Sequence, residues 1–196
     1  MNAQQKKLLL PIAILALGLV SLIGAAFFIL RDTGSKSPAA AVGGPFSMID
    51  HHGARVSEAS YRGGPMIVFF GFTHCPDVCP TTLFEMSEVL RLFPKERKVA
   101  ALFVTVDPER DTAEKLKDYL SSFDARIFGL TGPRADVDAM LKTFRVYARK
   151  VPQEGGEYTM DHTAIVYLMD KQGRFVNALN MQQPPAQIAR EIQRFF

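Results

Sequence analysis

Residues 8–30 form a run of 23 uncharged, mostly apolar positions, long enough at about 1.5 Å rise per residue to cross a hydrocarbon layer of about 30 Å. The run predicts one transmembrane helix. Pro11, Gly18 and Gly24 fall inside it, and membrane helices tolerate such residues better than soluble ones do. A cleavable signal peptide is the alternative, with Ala39 and Ala41 as small residues at a cleavage site. Signal peptides carry a shorter apolar region of about 7 to 15 residues, which favours an uncleaved anchor.

Beyond residue 44 the pattern changes to short strand-like and helix-like segments in alternation. Residues 46–49 and 55–56 flank Asp50-His51-His52-Gly53 and predict a hairpin. Residues 66–72 (MIVFFGF) and 99–106 are continuous apolar runs, as in strands buried on both faces. Helical spacing predicts helices over 81–93, 112–123, 134–144 and 185–195, with Asp111 and Glu114 reading as an acidic capping box for the second. Residues 127–130, 163–169 and 175–179 read as further strands, the last two joined by a turn at 170–173. The alternation predicts an α/β or α+β layer fold.

Composition narrows this picture. With 47% hydrophobic residues in 196, the chain can bury a real core, which excludes disorder as its main state. Two cysteines exclude a disulfide-stapled scaffold. The net charge of +3 comes from Lys6, Lys7, Arg31 and Lys36 against Asp32, while the remainder is balanced at 19 basic and 19 acidic residues. A nucleic-acid footprint on the globular part therefore has no support. Lys6 and Lys7 precede the apolar run, so the positive-inside bias puts residues 1–7 in the cytoplasm and the folded domain outside. Seven residues are too few for an amphipathic presequence. The expected location is a bacterial inner membrane, with a transmembrane anchor at 8–30, a flexible tether at 31–44 and a periplasmic domain at 45–196.

Both cysteines lie in Gly71-Phe72-Thr73-His74-Cys75-Pro76-Asp77-Val78-Cys79-Pro80, between the first buried strand and the helix after it. Thiols four residues apart at a helix start can face one side and share a metal or close a disulfide. The positive end of the helix is expected to favour thiolate. The spacing is one residue longer than the Cys-x-x-Cys of thiol exchangers, and a structural disulfide remains open. Four histidines are available as further ligands. His51 and His52 fall in the predicted hairpin turn, where a solvated role is expected. His74 adjoins Cys75, and His162 precedes an apolar strand. Asp77, Asp107 and Asp161 read as capping or solvated carboxylates, with orientation of His162 as a functional alternative for Asp161. Met160 reads as core.

The chain resembles the Sco/SenC family of copper-handling, membrane-anchored, thioredoxin-like proteins. The resemblance rests on 68–80 (VFFGFTHCPDVCP), on Thr105-Val106-Asp107-Pro108-Glu109-Arg110-Asp111-Thr112 and on Asp161-His162-Thr163. It implies a thioredoxin-like α/β fold, a central mixed sheet flanked by helices, behind one transmembrane helix. It also implies that Cys75, Cys79 and His162 bind one copper ion. Two thiolates and an imidazole suit Cu(I), and a fourth group would be needed for tetragonal Cu(II). Structural zinc normally takes four protein ligands, which disfavours it here. Thioredoxin-type exchangers carry a cis-proline before the strand facing their cysteines, where this chain has Asp161-His162-Thr163.

The function implied is that of a copper metallochaperone rather than an enzyme. Its expected acceptor is the binuclear copper centre of cytochrome c oxidase subunit II, with other periplasmic copper chaperones and thiol reductants as further partners. Ligand exchange needs an exposed rim, expected at 151–156. The alternative is a membrane-tethered thiol-disulfide reductase that keeps the acceptor cysteines reduced. Redox sensing, peroxide chemistry and a purely structural disulfide are weaker alternatives.

Overall fold

The two continuous apolar runs become the centre of the sheet. In the computed structural model, which describes residues 17–22, 24–25 and 42–196, these runs form β3 (Met66–Gly71) and β4 (Ala100–Thr105), paired in parallel and buried at all six positions of each. Parallel strands covered on both faces need apolar side chains on both, which is why neither run alternates with polar residues.

Among the described residues the strands form a seven-stranded mixed sheet and a separate two-stranded one. The large sheet adds β1 (Ser47–Asp50), β2 (Arg55–Ser57), β5 (Ile127–Thr131), β8 (Val166–Met169) and β9 (Phe175–Leu179), in the order β2-β1-β5-β4-β3-β8-β9. The small sheet is a hairpin of β6 (Ala148–Pro152) and β7 (Tyr158–His162).

Successive side chains of β3 divide the core. Met66, Val68, Phe70 and Phe72 join one cluster with Tyr61 of α1 (Glu58–Tyr61) and with Val137, Met140, Leu141 and Phe144 of α4 (Arg134–Phe144). Ile67 and Phe69 face the other cluster, built on α2 (Val78–Arg91), α3 (Ala113–Leu120) and α5 (Pro185–Gln193). This is a thioredoxin-like α/β arrangement, with a central mixed sheet and helices on both faces, as expected.

The chain divides into two units, Met1–Ala40 and Ala41–Phe196. Of the first, only residues 17–22 and 24–25 are described, and they are helical and exposed. No helix among the described residues is long and apolar enough to cross a membrane. Most of the expected 8–30 span, residues 1–7 and most of the tether lie outside the described residues. The last tether positions, 42–44, are half-buried on the domain: Val42 packs on the core, and the Gly43 N–H donates to the Thr143 carbonyl at 3.0 Å. The folded unit therefore begins before the expected boundary at 45.

Three further expectations are corrected. Helix α2 starts at Val78, not 81, so Cys79 lies in its first turn. The strand read over 163–169 begins only at Val166, as β8, and residues 163–165 separate it from β7, which ends at His162. The cap of α3 is Thr112, whose hydroxyl accepts from the Lys115 N–H at 3.2 Å.

Asp111 is released from capping to do something else. Its carboxylate is fully buried and accepts from the Thr73 N–H (3.1 Å), the Thr73 hydroxyl (2.6 Å) and the Thr105 hydroxyl (2.7 Å). Its carbonyl accepts from the Thr131 hydroxyl at 2.7 Å. One residue thus ties the loop after β3 to the ends of β4 and β5. Asp111→Ala leaves three donors without their buried acceptor and is expected to cost about 3 kcal/mol of stability. A urea titration of the full chain measures it.

Candidate metal centre

The end of β3 needs a glycine. A Cβ on Gly71 would stand 2.8 Å from the Cys79 sulfur and 2.6 Å from the Phe103 ring, closer than real Cβ atoms approach. The missing side chain leaves room for Cys79, which is fully buried in the core beneath the strand. After Gly71 the chain turns through Phe72 to Asp77, with the Cys75 N–H donating to the Phe72 carbonyl at 3.2 Å. Cys75 stays half-buried, and its sulfur accepts the Cys79 N–H at 3.4 Å. That N–H is one of the donors that a helix start leaves without a partner, and here a sulfur takes it.

His162 arrives from the far side as the last residue of β7, paired with Ala148 across the hairpin. Its Nε2 lies 3.9 Å from the Cys79 sulfur, across a sequence separation of 83 residues. Its Nδ1 lies 3.1 Å from the Thr163 carbonyl oxygen. A carbonyl only accepts, so Nδ1 carries the proton and the Nε2 lone pair faces the Cys79 sulfur. The ring stands edge-on to Phe72, at 5.7 Å and 88°.

Electrostatics correct one expectation. Burial pushes the Cys79 thiol well above its ordinary pKa, and Cys75 and Asp111 nearby add to the rise. Desolvation here outweighs the helix end that was expected to favour thiolate. Burial also lowers the His162 pKa, against the opposing pull of the Thr163 carbonyl and Asp161. The imidazole is therefore neutral near pH 7, the form that binds metal.

The three sequence-derived site residues are thus brought together, and both cysteines are free thiols. The His162 Nε2 and the Cys79 sulfur, 3.9 Å apart, would be close enough to hold one metal ion between them. The donor set of two sulfurs and one imidazole is soft, and it fits Cu(I) better than a hard cation. No group of three or more His, Cys, Asp or Glu is already gathered as a metal cage among the described residues, so binding would draw the donors closer.

The other candidates sit elsewhere. His74 is exposed, with Nδ1 3.1 Å from the Thr73 hydroxyl. His51, expected to be solvated, instead accepts the Gly129 N–H on Nδ1 at 3.0 Å and joins the first hairpin to β5. Asp161 is exposed beside Arg149 at 3.7 Å, so a backbone carbonyl orients His162 in its place. Asp77 precedes α2 and accepts from the Thr81 hydroxyl at 3.4 Å. Met160 is core, as expected. Phe72 and Gly71 were missed as site residues, because in sequence both are part of an apolar strand.

A family model for SCO1/SenC matches residues 34–196. The chain belongs to the SCO1/SenC family. Among its relatives, the mitochondrial SCO1 homolog of Mus musculus is 38% identical over 155 residues, covering 77% of this chain and 55% of that protein. This chain spans about half the length of the eukaryotic relatives it matches. Bradyrhizobium japonicum ScoI, solved with copper bound, is 52% identical with a TM-score of 0.77, covering 80% of this chain and all of that one. BsSco, a member of the Sco family of cytochrome c oxidase assembly proteins with a disulfide switch, shares the fold at 24% identity and a TM-score of 0.61, covering 81% and 95%.

Two outcomes follow from this geometry. Gly71→Ala pushes the Cys79 sulfur or the Phe103 ring aside and is expected to cost about 1–3 kcal/mol, as overpacking does, read as a lowered unfolding midpoint. In the metal-free chain at pH 8, iodoacetamide is expected to modify Cys75 well before Cys79, since Cys79 is both buried and held as thiol. Mass spectrometry of early time points gives the order, and equal rates would contradict the burial argument.

Proposed function

We propose that this SCO1/SenC protein is a copper metallochaperone that carries one copper ion on Cys75, Cys79 and His162. It delivers the ion outside the cytoplasm to the binuclear copper centre of cytochrome c oxidase subunit II. The observation that carries this reading is the approach of His162 Nε2 to 3.9 Å from the Cys79 sulfur, since neither a structural disulfide nor a thiol exchanger needs an imidazole there. The copper-bound relative with 52% identity supports the choice of metal. The segment 8–30 serves as the anchor and keeps the domain beside a membrane-bound acceptor.

The three donors divide the work by exposure. Cys79 lies at the buried base, where a thiolate formed on metal binding is shielded from water and oxidant. Cys75 is half-buried and is the sulfur that an acceptor's thiolate reaches first. The copper then passes by stepwise ligand exchange: a new sulfur bond forms as a bond to Cys75 breaks, and the copper stays coordinated throughout. His162 is a neutral third donor whose release costs no charge separation. Copper is the cargo here, and the chain supplies a soft, low-coordinate seat for it.

A second reading, thiol-disulfide reduction, is favoured by the Cys79 N–H that donates to the Cys75 sulfur. That contact keeps the accessible sulfur beside the buried one. Cys75, as thiolate, would attack an acceptor disulfide, and Cys79 would then resolve the mixed disulfide, with two electrons passing to the acceptor.

Cu(I) loading of the reduced full chain separates the two. The chaperone reading expects one copper per chain and an affinity at least about tenfold weaker in His162→Ala, from loss of one donor. Unchanged affinity in His162→Ala, with disulfide reductase turnover retained, would favour the reductase.

A further inference from the structure

The hairpin that brings His162 to the site does not hold itself in place. It is a separate two-stranded sheet, exposed or half-buried along most of its length, and among its ten strand positions Met160 alone is buried. Beyond the packing of Met160, Ala148 and Tyr158 on the core, its position depends on what grips its ends. At the His162 end, the Thr163 N–H donates to the Tyr147 carbonyl (3.0 Å) and the Tyr147 N–H to the Thr163 hydroxyl (3.1 Å). Both bonds lie within the hairpin's own flanks, so they do not tie it to the large sheet.

At the Tyr158 end the grip comes from the loop after β4. Asp107 there is fully buried, and its carboxylate accepts the Tyr158 hydroxyl at 3.0 Å and the Arg110 Nε–H. Arg110 in turn donates from Nη1 to the Tyr158 carbonyl at 3.0 Å and lies over the Tyr158 ring, with Cζ 3.8 Å from the centroid. The same guanidinium stands 5.9 Å from the Phe72 ring, and Phe72 is the ring against which His162 rests. Arg110 thus touches both supports of the imidazole, the strand that carries it and the aromatic ring behind it. Its Nη2 is buried without a hydrogen-bond partner, so stacking and Asp107 place this group more than a full set of its own bonds.

We propose that Arg110, held by Asp107, is a positioning residue for His162, and that the Arg110–Tyr158 clamp sets how firmly the imidazole meets the metal. The inference rests on the copper-site reading above. The clamp bears chiefly on the nitrogen donor, because the two sulfurs are held by contacts of their own, through Gly71, Asp111 and the start of α2. Loosening it weakens the nitrogen ligand and leaves a two-sulfur site, the form from which a thiolate acceptor can take copper. Arginine is required over lysine because the role needs a planar group that stacks on Tyr158 while it donates to two different oxygens.

The test is a double-mutant cycle on the full chain in detergent, read as Cu(I) affinity against a chromogenic chelator. Arg110→Lys keeps the charge and loses the fork and the stack, and it is expected to weaken Cu(I) about tenfold, as loss of support for a metal ligand does. Tyr158→Phe removes the hydroxyl bond to Asp107 and keeps the ring, and is expected to give a smaller loss of the same sign. In a His162→Ala background neither change is expected to weaken Cu(I) further. Without metal, hydrogen exchange is expected to quicken in β6 and β7 of Arg110→Lys, with α2 unchanged. A loss of equal size in both backgrounds, or wild-type affinity in both clamp variants, overturns the proposal and leaves the copper site standing. Parent-like affinity in His162→Ala overturns the copper-site reading itself, and the proposal with it.

Discussion

The burial of the Cys79 sulfur under the end of β3 is the constraint on which the rest of the site depends. A strand buried on both faces can deliver a reactive group only at its end. Here the end is opened by Gly71, whose absent side chain leaves room for the sulfur against Phe103. Cys79 is enclosed, so Cys75 is the more accessible of the two thiols, and the imidazole approaches from the separate two-stranded sheet. The same burial raises the Cys79 pKa and lowers that of His162. The buried base of the site, Cys79 with His162, is therefore uncharged, and it would become charged only if a metal displaced the Cys79 proton.

Two buried aspartates four residues apart organise the surroundings. Asp111 holds the loop that carries the cysteines, through Thr73, and Asp107 holds the hairpin that carries the histidine, through Tyr158 and Arg110. Both sit in one short loop after β4, so the two halves of the site are referenced to the same piece of backbone. A buried carboxylate is costly unless its oxygens are bonded, and each of these accepts from at least two side chains or backbone donors. Their cost is offset by a site whose parts, 83 residues apart in sequence, keep their spacing.

Much of the fold was legible because its strands and helices carry strong periodic patterns. The run at 66–72 and the helix at 134–144 are clear because their burial requires apolar residues at fixed intervals, and α4 begins and ends where that spacing does. The β6–β7 hairpin was not legible, since it is mostly exposed, with Arg149, Lys150, Glu154 and Glu157 on it and Met160 its one buried strand position. The rim expected at 151–156 is in fact the end of β6 and a 3₁₀ turn at Glu154–Gly156. The capping box at Asp111 failed for a related reason: local spacing fits a cap, but a buried network with Thr73 and Thr105 holds that carboxylate instead.

The sequence by itself determined the chemistry on offer: two sulfurs on one loop, a small number of imidazoles, a neutral domain and an apolar N-terminal run. These depend on residue type and near neighbours, and near neighbours are visible in a linear chain. Residue type and spacing did not choose among the histidines: the family resemblance named His162, and the tertiary structure sets it, and not His74 beside Cys75, against the Cys79 sulfur. Only the tertiary structure decided that Thr163, and not Asp161, orients the ring, and that Phe72 and Arg110 stand behind it. Those outcomes depend on which segments the sheet brings side by side, and contacts between distant segments leave no periodic trace in either one.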